Sequence, residues 1–96
     1  MLLTKFKIKG HSMGTLLKEN QSVLVSSLPF IFFKPRIRDV VIFKFNNKFY
    51  IKRIMKKKGD KYFLRGDNRR DSLDSKKIGW VDKKDIIGKV IFKISN

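Results

Sequence analysis

An all-β domain of short, mostly antiparallel strands is predicted for this chain, and three observations predict it. β-branched and aromatic residues gather in short runs, the composition that fits a pleated, half-buried surface. Turn-forming residues, Asn46-Asn47 and Lys58-Gly59-Asp60 among them, separate the runs. Asparagine tolerates the positive φ of a tight hairpin, so residues 39–55 read as the most secure supersecondary unit. Strands are placed at Phe6 to Lys9, Ser22 to Ser26, Asp39 to Phe45, Lys48 to Met55, Lys61 to Arg65 and Ile86 to Ile94. Each of the six is built on such a run: Phe6 with Ile8, Val23 to Val25, Val40 to Phe43, Phe49 to Ile51, Tyr62 to Leu64, and Ile86 through Phe92.

Ninety-six residues suffice for one domain with a modest core, taken as residues 1–96. The chain has no cysteine, which removes disulfides, thiolate zinc sites and a thiol nucleophile. Its single histidine excludes a His-rich metal cluster, and no metal or cofactor is expected. A formal charge of +16 draws such a surface to polyanions, whether nucleic acid or anionic lipid. The bias toward Lys, Ile, Asn and Phe, with no alanine, has an equal explanation in an AT-rich genome.

No stretch approaches the roughly 18 to 20 apolar residues of a membrane-spanning helix, and Met1 to Lys9 is too short and too charged for a cleaved signal peptide. The expected location is peripheral to a membrane or cytoplasmic. The most apolar run, Leu28-Pro29-Phe30-Ile31-Phe32-Phe33, reads first as a buried strand or loop. Its second reading is an aromatic loop that dips into a membrane interface beside Lys34 and Arg36.

In the strand after the Asn46-Asn47 hairpin, Tyr50, Lys52 and Ile54 share one side, and Phe49, Ile51, Arg53 and Met55 the other. Both sides carry large apolar groups, so the period alone does not decide which faces inward. If the Lys52 side is buried, loss of hydration disfavours its ammonium form, the condition a lysine base requires.

Ser12 and Lys52 stand in ordered motifs. Residues 10–25, Gly10-His11-Ser12-Met13 through Val23-Leu24-Val25, align without a gap on the pattern G-x-S-M-x-P-T-L-x-x-G-D-x-V-L-V. Pro35 and Arg38-Asp39-Val40-Val41-Ile42-Phe43 fit a proline followed by G-D-V-V-x-F, and Tyr50 to Ile54 fit Y-x-K-R-x. Gly66-Asp67-Asn68 through Ser72, Asp74, Ser75, Lys76 and Gly79 fit G-D-N-x-x-x-S-x-D-S-R-x-x-G. These boxes, in this order over nearly the whole length, resemble the catalytic core of the signal peptidase I family, the Ser-Lys endopeptidases of the S26 type.

The resemblance implies that Ser12 is the nucleophile and Lys52 the general base, since a serine hydroxyl needs a partner that takes its proton. By the same resemblance Ser72 orients the amine of Lys52, and Asp74 pairs with Lys76 or Arg53 to hold the wall of the site. Gly10 and the backbone N–H of Ser12 belong to the oxyanion hole, where a good donor is worth about 2.7 to 4 kcal/mol of barrier; Met13 lies with the substrate. The implied substrate is a precursor protein or signal peptide, cut after small residues in an A-x-A pattern. The implied enzyme is a monomer with no specific nucleic-acid partner, and an anionic membrane surface is a further expected partner.

The chain departs from the pattern at Thr15, which replaces proline, at Asn20-Gln21, which replaces Gly-Asp, and at Lys76, which replaces arginine. The first two predict a less rigid loop behind Ser12, and the third loses a fork that pairs bidentately with a carboxylate. By the same resemblance, no counterpart of the family's membrane anchor is expected within these residues. That points to docking by a basic, Phe-rich surface, or to a soluble precursor as in the small proteases that mature nickel superoxide dismutase.

His11 neighbours Ser12 but points away from it on an extended segment, Asp67 reads as a turn carboxylate, and Trp80 reads as core. The main alternative function is a basic nucleic-acid- or membrane-surface-binding module without protease activity. A LexA-like self-cleaving switch uses the same dyad, but needs a DNA-binding domain and a cleavage site for which this chain has no room.

Overall fold

Residues 3–8, 20–65 and 80–94 are described in the computed structural model of the chain. Over these residues it forms strands β1 (Thr4–Lys7), β2 (Ser22–Ser26), β3 (Val40–Phe45), β4 (Lys48–Lys58), β5 (Lys61–Arg65), β6 (Val81–Asp82) and β7 (Ile86–Ile94). A one-turn helix α1 (Pro29–Phe32) lies between β2 and β3, and a 3₁₀ turn at Lys83–Asp85 precedes β7. The strands pair antiparallel in one sheet, in the order β1-β2-β7-β3-β4-β5-β6. The fold is all-β, as the sequence predicts.

β2, β5 and β7 fall on the expected residues. The central hairpin forms as expected: Asn46 and Asn47 take φ 51° and 62°, and Phe45 pairs with Lys48. Two successive left-handed residues match the twist of the flanking strands, the geometry of a two-residue hairpin. β4 runs three residues past its expected end because Lys56, Lys57 and Lys58 pair with Phe63, Tyr62 and Lys61 across the Gly59-Asp60 turn. A lysine run carries no apolar signal, so only the partner strand reveals it.

β3 supplies both faces of the sheet. Val41 and Phe43 join Ile54, Tyr62, Leu64, Val81 and Ile86 in one apolar cluster, while Ile42, between them, joins Ile8, Val23 and Val25 in a second. Gly88 lies opposite Ile42, where a Cβ would meet Val25 Cγ1 at 2.8 Å and the Ser26 carbonyl oxygen at 2.9 Å. The strands approach there closely enough that only glycine fits without a shift.

Two expectations are corrected. Leu28 to Phe33 is not a buried strand or loop: it holds one helical turn, with Ile31, Phe32 and Phe33 exposed and Phe30 packed toward the core. Pro29 suits the first turn of a helix, where its missing N–H costs nothing, and Ser26 Oγ accepts the Leu28 N–H at 3.1 Å. Trp80 is not core but 45% exposed. It immediately precedes the sheet-edge strand β6, and its ring meets Phe63 edge-on at 5.6 Å.

Gly88→Ala is expected to destabilise the fold by about 1–3 kcal/mol, the usual cost of overpacking, read by urea denaturation. Tyr62 offers a second check. Its hydroxyl is buried without a hydrogen-bond partner among the described residues, and burial, with Asp60 second, raises its pKa. A raised folded-state pKa means stability that is full below the ordinary tyrosine value of about 10 and lost as pH climbs through the folded value. Tyr62→Phe is therefore expected to gain about 1 kcal/mol near neutral pH, by removing an unpaired buried hydroxyl. The variant should also lose less stability than wild type on alkaline titration.

Candidate active site

The pairing of β3 with β4 decides the question that the alternation leaves open. Lys52 stands opposite Val41, on the side that carries the Val41–Phe43–Ile54 cluster. Only 2% of the residue is exposed. Along β4 its same-face neighbours are Tyr50 and Ile54, and Tyr50 stacks on Phe43 with ring centroids 5.7 Å apart. A long cationic side chain is thus taken out of water on the face of the sheet that carries the apolar cluster.

Arg53, next along the strand, faces the other side, opposite Val40. Its Nη1 donates to the Arg38 carbonyl oxygen at 2.9 Å. This ties β4 to a turn at residues 36–39, closed by the Asp39 N–H donating to the Arg36 carbonyl at 3.1 Å. The Arg38 N–H donates to Ile54 O at 2.7 Å and the Ile54 N–H to Asp39 O at 2.8 Å, so the turn is clamped two residues from Lys52. Asp39 reinforces it: Oδ2 accepts the Arg36 N–H at 3.0 Å, and Oδ1 pairs with Lys89 Nζ at 3.3 Å.

Arg38 takes φ 82° within this turn. A left-handed conformation costs an L-residue about 1–2 kcal/mol, more than the 0.5–1 kcal/mol or so that glycine costs through its flexibility. Sequence reasoning passed over Arg38, although the signal was present: it stands where the Pro35–Phe43 box calls for glycine.

Two connections carry the remaining motif residues out of the sheet. β5 ends at Arg65, which pairs with Arg53, so the chain enters residues 66–79 at the level of Lys52. The other spans residues 9–19, and its two stems are held together by Ile8 N–H to Gln21 O at 2.7 Å and Asn20 N–H to Ile8 O at 2.8 Å. Asn20 takes φ 69°, the conformation the replaced glycine would adopt with least strain. Ser12, Gly10, Met13, His11 and Thr15 on the first connection, and Asp67, Ser72, Asp74 and Lys76 on the second, lie outside the described residues.

Among the described residues no group of His, Cys, Asp and Glu could hold a metal ion. No helix among them is long and apolar enough to cross a membrane.

The family described as signal peptidase, peptidase S26, matches this chain over residues 1–61 and 56–95. Signal peptidase I of Buchnera aphidicola subsp. Baizongia pistaciae (strain Bp) is 41% identical over 68 residues, which cover 65% of this chain. The same stretch is 20% of that relative, so the chain spans about a fifth of the length of the curated protein it matches.

The burial of Lys52 predicts a graded mutational response. Lys52→Met keeps most of the side-chain volume and is expected to destabilise less than Lys52→Ala, which empties the site, with a difference of about 1–3 kcal/mol. Urea unfolding of the two variants measures it.

Proposed function

The chain belongs to the signal peptidase S26 family, and from that premise we propose that residues 1–96 form the catalytic domain of a serine endopeptidase with a Ser12–Lys52 dyad. The observation that carries the proposal is the burial of Lys52 on the one strand that matches the family's base box. A lysine in water stays protonated at neutral pH and cannot serve as a base; burial on the face of Val41, Tyr50 and Ile54 takes Lys52 out of water, the condition a lysine base requires.

In the proposed reaction Lys52 Nζ takes the proton of Ser12 Oγ as the oxygen bonds to the scissile carbonyl carbon. The Ser12 backbone N–H, at Gly10-His11-Ser12, stabilises the resulting oxyanion. As the C–N bond breaks, Lys52 returns the proton to the leaving amine. Water, deprotonated by Lys52 in turn, then hydrolyses the acyl-enzyme and regenerates Ser12. Ser72 orients the Lys52 amine, Met13 lies with the substrate, and Asp74 with Lys76 or Arg53 braces the wall. The substrate is an extended segment of a precursor protein or signal peptide, with small residues in an A-x-A pattern before the cut. The enzyme acts as a monomer.

Cleavage of a peptide library enriched in A-x-A sites tests this. Ser12→Ala and Lys52→Met, each shown to be folded by circular dichroism, are expected to lose activity by at least three orders of magnitude, as loss of a dyad member implies. Wild-type activity should rise with pH as Lys52 loses its proton. Folded variants that cut as fast as wild type would remove the dyad, and absence of cutting by wild type would favour a binding module built on the +16 surface.

A further inference from the structure

A hollow of about 660 Å³ lies between α1 and the corner at which β6 gives way to β7, a size within the range of small-ligand sites. Phe30, Ile31 and Ile86 line it with apolar groups, and Asp60, Asp82, Lys83 and Lys84 give it a charged rim. Two of its walls are tied together, because the Lys83 N–H donates to the Asp60 carbonyl at 2.9 Å. Phe30 and Ile86 also pack with the apolar cluster on the Lys52 side of the sheet. Lys52 precedes the end of β4 at Lys58 by six residues, about 20 Å at the usual rise of a strand, and the Asp60 wall comes after that. The hollow is therefore separate from the proposed dyad.

Charge decides what fits it. Each carboxylate of the rim has a lysine partner from outside the hollow: Lys34 Nζ lies 3.9 Å from Asp60 Oδ1, and Lys61 pairs with Asp82. The hydrogen bond from Lys61 holds the Asp82 carboxyl below the usual carboxylate range, and the charges of Lys61 and Lys84 add to that effect. With the two acids matched by Lys34 and Lys61, Lys83 and Lys84 leave the rim net positive beside an apolar lining. A ligand with an apolar body and one anionic end complements this pattern. A polyphosphate chain fits less well, since its charges would meet Asp60 and Asp82 as well as the lysines.

We propose that this hollow binds a short apolar peptide by its free C-terminal carboxylate, the end that the proposed cleavage creates. Hydrolysis of a peptide bond leaves a carboxylate on the segment before the cut and an ammonium group on the segment after it. An A-x-A segment sets small apolar side chains beside that carboxylate, matching the lining and the lysines of the rim. The ammonium-ended product instead meets acids that already have partners. A product held here has left Lys52, so the site clears the dyad for the next substrate. The peptide's origin in cleavage rests on the Ser12–Lys52 reading; the binding itself does not.

Isothermal titration calorimetry of the full 96-residue chain with an acetylated apolar peptide ending in A-L-A tests the proposal, beside the same peptide as its C-terminal amide and decanoate as a non-peptide carboxylate. The acid is expected to bind about tenfold more tightly than the amide and to weaken with salt. Lys83→Glu with Lys84→Glu should weaken binding more than tenfold. Ile31→Ser, at a residue 63% exposed, should weaken it about fivefold. The Ile86 amide should shift in NMR spectra as the peptide is added, and Ser12→Ala and Lys52→Met should bind as wild type does. Equal affinity for acid and amide, undiminished binding by the folded lysine variant, loss of binding in Ser12→Ala, or binding of decanoate but not of the peptide would each overturn the proposal. A wild type that binds the peptide acid but cleaves nothing would count against the dyad alone, so the two failures are told apart.

Discussion

Register between β3 and β4 is the constraint on which the rest depends. Val41 faces Lys52 because the two-residue Asn46-Asn47 turn sets Phe45 against Lys48 and every later pair follows. A slip of one residue would exchange the faces of β4, turning Lys52 outward and Arg53 inward. Burying Lys52 removes a strongly hydrated group from water, at a cost that the surrounding core must offset. That core is the seven-residue cluster on the same side of the sheet, drawn from β3, β4, β5, β6 and β7.

The strand order extends that constraint outward. β7 comes last in the chain yet lies between β2 and β3, so it joins the β1–β2 pair to the central hairpin. Close contact at Gly88 makes this junction tight. The stems at Ile8 and Asn20 are consequently referenced to the same sheet as Lys52, although the motifs they belong to are separated by some forty residues of chain. Breaks in register, at Leu24/Val25, Ile42/Phe43 and Ile54/Lys56, occur on both sides of the central hairpin. Bulges of this kind bend strands and increase their twist.

The 36–39 turn links two properties that the sequence keeps apart. It clamps Ile54, near the candidate base, through backbone hydrogen bonds, and it carries Arg36 and Arg38 on an exposed basic surface. Arg53 belongs to both, since it is the neighbour of Lys52 and donates to the Arg38 carbonyl. A single strand therefore positions an inward lysine on one face and braces an outward cationic ledge from the other, as alternation along a strand allows.

Much of this was legible in the residues themselves. Strand runs, the Asn46-Asn47 hairpin and the ordered boxes are local signals, set by β propensity, tolerance of positive φ and fixed spacing, and they specified the all-β class, several strand ends and the family. What tertiary structure alone decided is whatever depends on a partner strand. Both faces of β4 are apolar, so the burial of Lys52 followed only from its place opposite Val41. The lysine run to Lys58 became strand because β5 pairs with it, and Val81–Asp82 is too short to carry a pattern at all. Phe30 to Phe33 read as apolar enough to be buried, yet one helical turn turned Phe30 inward and left the others in water. Composition records how much apolar surface a segment has; only packing determines which of it finds a partner.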